Sequence, residues 1–164
     1  MLSFIPKLIY ESVTDLTPEV LHQHGIDVLF LDFDNTIVPY TRDDPSPEVE
    51  AWFGIMKQAG IRLCVVSNTK RQRAPDFCAR HGIGCVTHAA KPFPGGIRRA
   101  AAMYPDAGGI ALVGDQIYTD VLGANSAGVI SVLIRPIHLH NIWLKLRHCL
   151  ELPWIYIGRR RLHA

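Results

Sequence analysis

Nowhere in these 164 residues do apolar side chains run unbroken for the roughly 18 positions that a membrane-crossing helix needs, which excludes such a helix. The opening stretch, MLSFIPKLIY, lacks the basic flank and long apolar segment of a secretion signal. Cysteine is sparse, and Cys64, Cys78, Cys85 and Cys149 form no C-x-x-C pair or other metal-binding spacing. They read as free thiols of a reducing compartment. No repeat, low-complexity tract or linker interrupts the chain, so the expectation is one cytoplasmic domain spanning residues 1–164.

What is present is ordinary for a globular protein: 48% apolar and 20% charged residues, with a formal net charge of +2. That charge is unevenly spread. From Arg135 onward there are one Lys and five Arg against a single acid, Glu151. A basic end of this kind suits phosphate-bearing surfaces or anionic lipid, and equally a solvated tail. No nucleic-acid partner is expected.

Short apolar runs alternate with amphipathic ones. VLFL (Val28–Leu31), IRLCVV (Ile61–Val66), IGCVTH (Ile83–His88), IALVG (Ile110–Gly114) and VISVLI (Val129–Ile134) predict five buried strands. Helices are expected near Pro47–Ala59, Arg73–Arg80, Gly95–Tyr104 and Thr119–Ser126, with another at about residues 17–24. Thr17-Pro18 and Ser46-Pro47 each pair a capping residue with proline in the first turn. Alternation of near-continuous apolar strands with helices predicts an α/β core over about 26–136, a five-stranded parallel sheet between helices.

In such sheets, functional groups collect where strands end at their carboxyl edge. The first strand exits into Asp32-Phe33-Asp34-Asn35-Thr36 and the second into Ser67-Asn68-Thr69. Lys91-Pro92 follows the third, and the fourth exits into Gly114-Asp115, with Asp120 five residues later. Side chains two apart on extended backbone share a side, so Asp32 and Asp34 can face one cavity while Phe33 packs away. Several carboxylates in one cleft repel one another, and a hard divalent cation with oxygen ligands, best Mg²⁺, relieves that. A carboxylate can attack phosphorus to give an aspartyl-phosphate, and a second can protonate the leaving alkoxide and then activate water. Ser67 and Lys91 can hold the phosphoryl oxygens. Each piece alone has a plainer reading. D-x-D is commonly a turn or cap, Ser67-Asn68 a turn, Lys91 an exposed lysine, and Gly114-Asp115 a strand-to-helix turn. Order and placement favour the joint reading.

DFDNT, SN, KP and GDQIYTD together resemble the four motifs of the haloacid-dehalogenase (HAD) phosphatase superfamily, over about Val28 to Ile134. The resemblance implies a Rossmann-like core, with Asp32 as nucleophile and Asp34 as general acid/base. It implies Mg²⁺ held by Asp32, Asp115 and the Asp34 backbone carbonyl, and phosphate held by Ser67, Asn68 and Lys91. Thr36 and Asp120 would support the site from behind. Only about thirty residues separate Thr36 from Ser67, and fewer separate Asn68 from Lys91, so no cap domain fits and the site is expected to be open. LDFDNTIVPY, VSNT, KPFPGG and GDQIYTDVLGAN resemble more closely the YqeG-like subclass IIIA phosphatases, whose relatives include phosphatidylglycerophosphate phosphatases.

The tail from about residue 138 falls outside that resemblance. Ile142, Trp143, Leu146, Cys149 and Leu150 have helical spacing, followed by Trp154, Tyr156 and Arg159 to Arg161. Aromatics beside arginines suit peripheral contact with a membrane interface, while a helix packed on the domain is the plainer alternative. His138 and His140 make an H-x-H without an evident third ligand. The leading expectation is an Mg²⁺-dependent phosphomonoesterase acting on phosphatidylglycerophosphate. A phosphatase for a sugar phosphate, nucleotide or phosphoprotein remains open, as does a non-catalytic binding module of the same fold.

Overall fold

The computed structural model describes residues 3–138 and 142–162, with side chains in the C-terminal helix described from Cys149 to Arg160. His140 lies outside the described residues, as do the side chains of Trp143, Lys145, Arg147 and Arg161. The elements run β1 (Leu8–Ile9), a 3₁₀ turn (Val13–Asp15), α1 (Pro18–Gln23), β2 (Val28–Leu31), α2 (Pro47–Gln58), β3 (Arg62–Val66), α3 (Arg73–His81) and β4 (Gly84–Val86). They continue with α4 (Gly95–Ala101), β5 (Ile110–Gly114), a π-helical turn (Ile117–Val121), α5 (Leu122–Ala127), β6 (Ile130–Leu133) and α6 (Ile142–Leu162).

The sheet has the order β1-β6-β5-β2-β3-β4, and every pairing is parallel. The expectation of five strands is corrected to six. Leu8–Ile9, only two residues long, adds itself to β6, with Leu8 opposite Val132. β4 is shorter than expected and only half-buried, because it forms the other edge of the sheet.

Period-two alternation assigns each strand's side chains to two faces. Leu29, Leu31, Leu63, Val65, Ala111 and Val113 pack with Trp52, Phe53, Met56 and Phe77 of α2 and α3. Val28, Phe30, Cys64, Val66 and Leu112 pack with Ile97, Ala100 and Ala124 of α4 and α5. Helices therefore cover both faces, and the strands read as continuous apolar runs for that reason. The caps form as the sequence suggests: Thr17 Oγ1 accepts from the Val20 N–H at 3.4 Å and Ser46 Oγ from the Val49 N–H at 3.4 Å. The segment from β2 to β3 contains one helix, and that from β3 to β4 one helix. Nothing cap-sized stands between the motifs.

The C-terminal segment forms one helix, α6, that continues through Pro153. It packs on the sheet edge and the π-helical turn, where Trp154 and Ile155 join Ile117, Val121 and Leu133. Trp154 stacks on Phe4 with ring centroids 5.1 Å apart. Among the described residues no helix is long and apolar enough to cross a membrane.

Candidate active site

β2 and β5 are neighbours, with Leu31 opposite Val113, so the residues following each strand emerge side by side. The Asp32 N–H donates to the Val113 carbonyl at 2.9 Å, which extends the pairing one residue and brings Asp32 beside Gly114-Asp115. On its other side β2 pairs with β3, which delivers Ser67. The chain thus progresses outward from β2 on one side and returns to β5 on the other, and the cleft opens at that reversal.

The structure brings Asp32, Ser67, Lys91, Asp115 and Asp120 together at this edge, each of them buried. Lys91 is no surface lysine. Its Nζ donates to Asp32 Oδ1 and to Asp120 Oδ1, both at 2.6 Å. Two of the three ammonium donors are thereby used, and the third remains for a ligand. Carboxylate oxygens of Asp32, Asp115 and Asp120 all lie within 4.8 Å of one another. Asp115 also accepts from Asn35 Nδ2 and Thr36 Oγ1, each at 3.4 Å. Three buried carboxylates stand around one ammonium, and the donor set is all oxygen. That chemistry fits a hard divalent cation.

Electrostatics follow from this crowding. Burial pushes the Asp32 carboxyl up to about 7, with Asp120 and Asp34 adding to the rise and Lys91 opposing it. Burial pulls Lys91 down, but the Asp120 and Asp32 carboxylates outweigh it and hold the ammonium above its ordinary range. Asp34 is half-buried, and its Oδ1 accepts from Arg73 Nη1 at 2.9 Å. Burial raises its pKa against the pull of Arg73 and Arg71. Phe33 packs away as expected, its ring 5.3 Å from that of Phe77.

Ser67 Oγ accepts from the Thr69 N–H at 3.2 Å, and its O–H has no acceptor among the described residues. Asn68 was expected to hold phosphate with Ser67. Its side chain bonds the Lys91 backbone: Nδ2 donates to the carbonyl at 2.8 Å and Oδ1 accepts the N–H at 2.7 Å. An amide satisfied at both ends in this way positions the lysine.

Three residues that motif reading left without a role take part in the geometry. Asn35, with φ of 66°, turns the chain beneath Asp115 and accepts the His138 N–H at 2.9 Å; an Asn in left-handed backbone at a strand exit was a readable signal. Arg73 links Asp34 to the Pro39 carbonyl at 2.7 Å while its guanidinium lies 5.0 Å over the Phe33 ring. Glu151 reaches the Ile117 N–H from α6. Nothing in the spacing announces either of those. Gly114 is required because a Cβ there would collide with the Asp120 carboxyl group.

A family model described as haloacid dehalogenase-like hydrolase matches residues 12–128. The chain belongs to that family. It is also 33% identical over 135 residues to the Probable phosphatase YqeG of Bacillus subtilis (strain 168), covering 82% of this chain and 78% of that protein. No solved structure gives a match.

Beside the acidic cluster lies a groove of about 390 Å³ lined by Tyr10, Asp115, Ile134, Leu152, Ile155 and Tyr156, with Arg135 and Arg159 at its margin. Both arginines pair with Glu11, each at 3.1 Å.

Proposed function

We propose that this HAD-like hydrolase is an Mg²⁺-dependent phosphomonoesterase. The observation that carries the reading is the buried network in which Lys91 joins Asp32 and Asp120 beside Asp115. The phosphatase named among its relatives supports the same reaction class. Asp32 attacks phosphorus, and the ester P–O bond breaks as an aspartyl-phosphate forms. Asp34 gives its proton to the leaving alkoxide; burial shifts its carboxyl toward the protonated form, against the pull of Arg73. Asp34 then takes a proton from water as that water attacks the phosphorus, which frees inorganic phosphate and restores Asp32. The third donor of Lys91 and the Ser67 hydroxyl hold the non-bridging oxygens throughout. Asp32, Asp115 and the Asp34 carbonyl would hold Mg²⁺, with Asp120 supporting them, and the ion would neutralise phosphoryl charge.

The substrate we propose is a lipid phosphate, with phosphatidylglycerophosphate as the first candidate. The cleft has no cap, and the groove that shares Asp115 offers apolar walls next to the acidic cluster. Leu152 and Tyr156 are exposed beside it, with Arg159 and Arg160 following on the same helix, an arrangement suited to peripheral contact with an anionic bilayer. The deciding experiment assays a generic aryl phosphate with and without Mg²⁺, then a panel with phosphatidylglycerophosphate in mixed micelles. Mg²⁺-dependent turnover with strong preference for the lipid is expected. Equal or better turnover of sugar phosphates or nucleotides moves the substrate to a small phosphate ester, and no turnover of any ester leaves a binding module.

A further inference from the structure

Glu151 is the one acid in the chain after Arg135, yet it is the one turned inward, 1% exposed on a helix otherwise rich in arginine. A buried carboxylate is costly unless it is bonded. Its Oε1 accepts the backbone N–H of Ile117 at 3.0 Å, across 34 positions of chain.

Ile117 opens the wide turn that carries Asp120. Within that turn the N–H groups of both Asp120 and Val121 go to the Gln116 carbonyl, at 3.0 and 3.2 Å, so its ladder begins after Ile117. Such i→i+5 turns are rare and concentrate at functional sites. Asp120 is held at both oxygens: Oδ1 by Lys91 at 2.6 Å and Oδ2 by the Gln116 N–H at 3.1 Å. The same turn is gripped again where the Tyr118 hydroxyl donates to the Leu150 carbonyl at 3.2 Å, and where Phe4 fills the space between Tyr118 and Trp154.

We infer that α6 clamps the catalytic edge, with Glu151 as a positioning residue that fixes the Ile117 turn and thereby the place where Asp120 holds Lys91 against Asp32. The inference rests on the phosphatase reading above for its consequence in turnover. It gives the tail a task that is independent of any membrane. Glu151 touches no reacting atom; it acts through the backbone of the turn, then Asp120, then Lys91.

The test uses the full chain and three substitutions. Glu151→Gln keeps an oxygen acceptor at the same reach, Glu151→Asp keeps the charge but withdraws the acceptor by one methylene, and Glu151→Ala removes it. With an aryl phosphate and saturating Mg²⁺, Glu151→Gln is expected within about threefold of wild type. Glu151→Asp and Glu151→Ala are expected to lose about tenfold or more in kcat with KM within about twofold, since displacements of about 1 Å can cost a hundredfold. Amide hydrogen exchange provides a readout apart from turnover: Ile117 is protected in wild type and Glu151→Gln and deprotected in Glu151→Asp. Wild-type kcat and Ile117 protection in a folded Glu151→Asp overturns the clamp, as does a Glu151→Gln as impaired as Glu151→Ala. If wild type itself turns over no phosphate ester, the phosphatase reading fails, and the exchange pattern alone still decides whether the clamp exists.

Discussion

Asp32, Lys91 and Asp120 form a chain of charges in which each member is buried and each depends on the next. Removing the attacking oxygen while keeping the volume isolates the chemistry from the fold. Asp32→Asn is therefore expected to lose at least about a thousandfold in turnover, as covalent nucleophiles do, with an unchanged circular dichroism spectrum; retained activity in purified protein refutes the assignment. Asp34 and Asp115 separate by a different logic. Asp34→Asn keeps its backbone carbonyl, so Mg²⁺ affinity should persist while turnover collapses. Asp115→Asn weakens one of the three clustered carboxylates, so its loss should appear first as weaker Mg²⁺ binding. Calorimetric titration distinguishes them, and equal losses in both variants contradict this division. At this level, residue types and order were readable: two acids two apart, a hydroxyl, a lysine, and a Gly-Asp, each after its own strand. The bonds of the Asn68 amide to the Lys91 backbone were not, because they depend on a contact 23 positions away. Arg73 and Glu151 were not readable for the same reason.

The elements were legible where periodicity is strong. Central strands buried on both faces read as apolar runs, and the Thr17-Pro18 and Ser46-Pro47 signals mark helix starts that the structure reproduces. β1 was missed because two residues carry no period; it exists only because β6 offers an open edge. The π-helical turn was missed because i→i+5 winding is rare and carries no sequence period to read. α6 shows the limit most clearly. Its aromatics beside arginines suggested an interface, and the structure packs Trp154 on Phe4 and pairs Arg159 with Glu11. Among the described residues that face outward are Leu150, Leu152, Tyr156, Ile157 and Arg160. Each basic residue near an anionic surface contributes about 1 kcal/mol. Binding to anionic vesicles, absent for neutral ones and weakened by salt, is expected, and Arg159, Arg160 and Arg161 all changed to Ala should reduce it. Co-sedimentation without preference for anionic vesicles removes the membrane from the proposal.

For the whole molecule, the acidic cluster sets a stability profile. Asp32 has a folded-state pKa of about 7 against an ordinary value of 3.8, so between those pH values the native state retains a proton that the unfolded chain releases. The metal-free protein therefore loses stability as pH rises through that window, by up to about 1.4 kcal/mol per unit. Asp34 adds in the same direction. Lys91, held above its ordinary range, contributes throughout, and Asp27 and Asp106, both lowered, lose their contribution only in acid below the window. In chelator, Tm is expected to fall between pH 5 and pH 7.5, with a flatter profile in Asp32→Asn. Mg²⁺ added at pH 7.5 should raise Tm, since a ligand that binds only the native state stabilises it. A Tm that rises over that interval without metal contradicts the sign.

The sequence by itself determined the parallel α/β architecture, because alternating apolar strands and helices have few other ways to bury both faces of a sheet. It also determined which residue types stand at each strand exit, since these follow directly from position along the chain. Only the tertiary structure decided the sixth strand, the Asn68 bonds to the Lys91 backbone, the Arg73 contact to Asp34 and the inward turn of Glu151. Each of those depends on which side chain meets which backbone across tens of residues. Such a meeting is set by strand order and packing, which leave no local pattern to read.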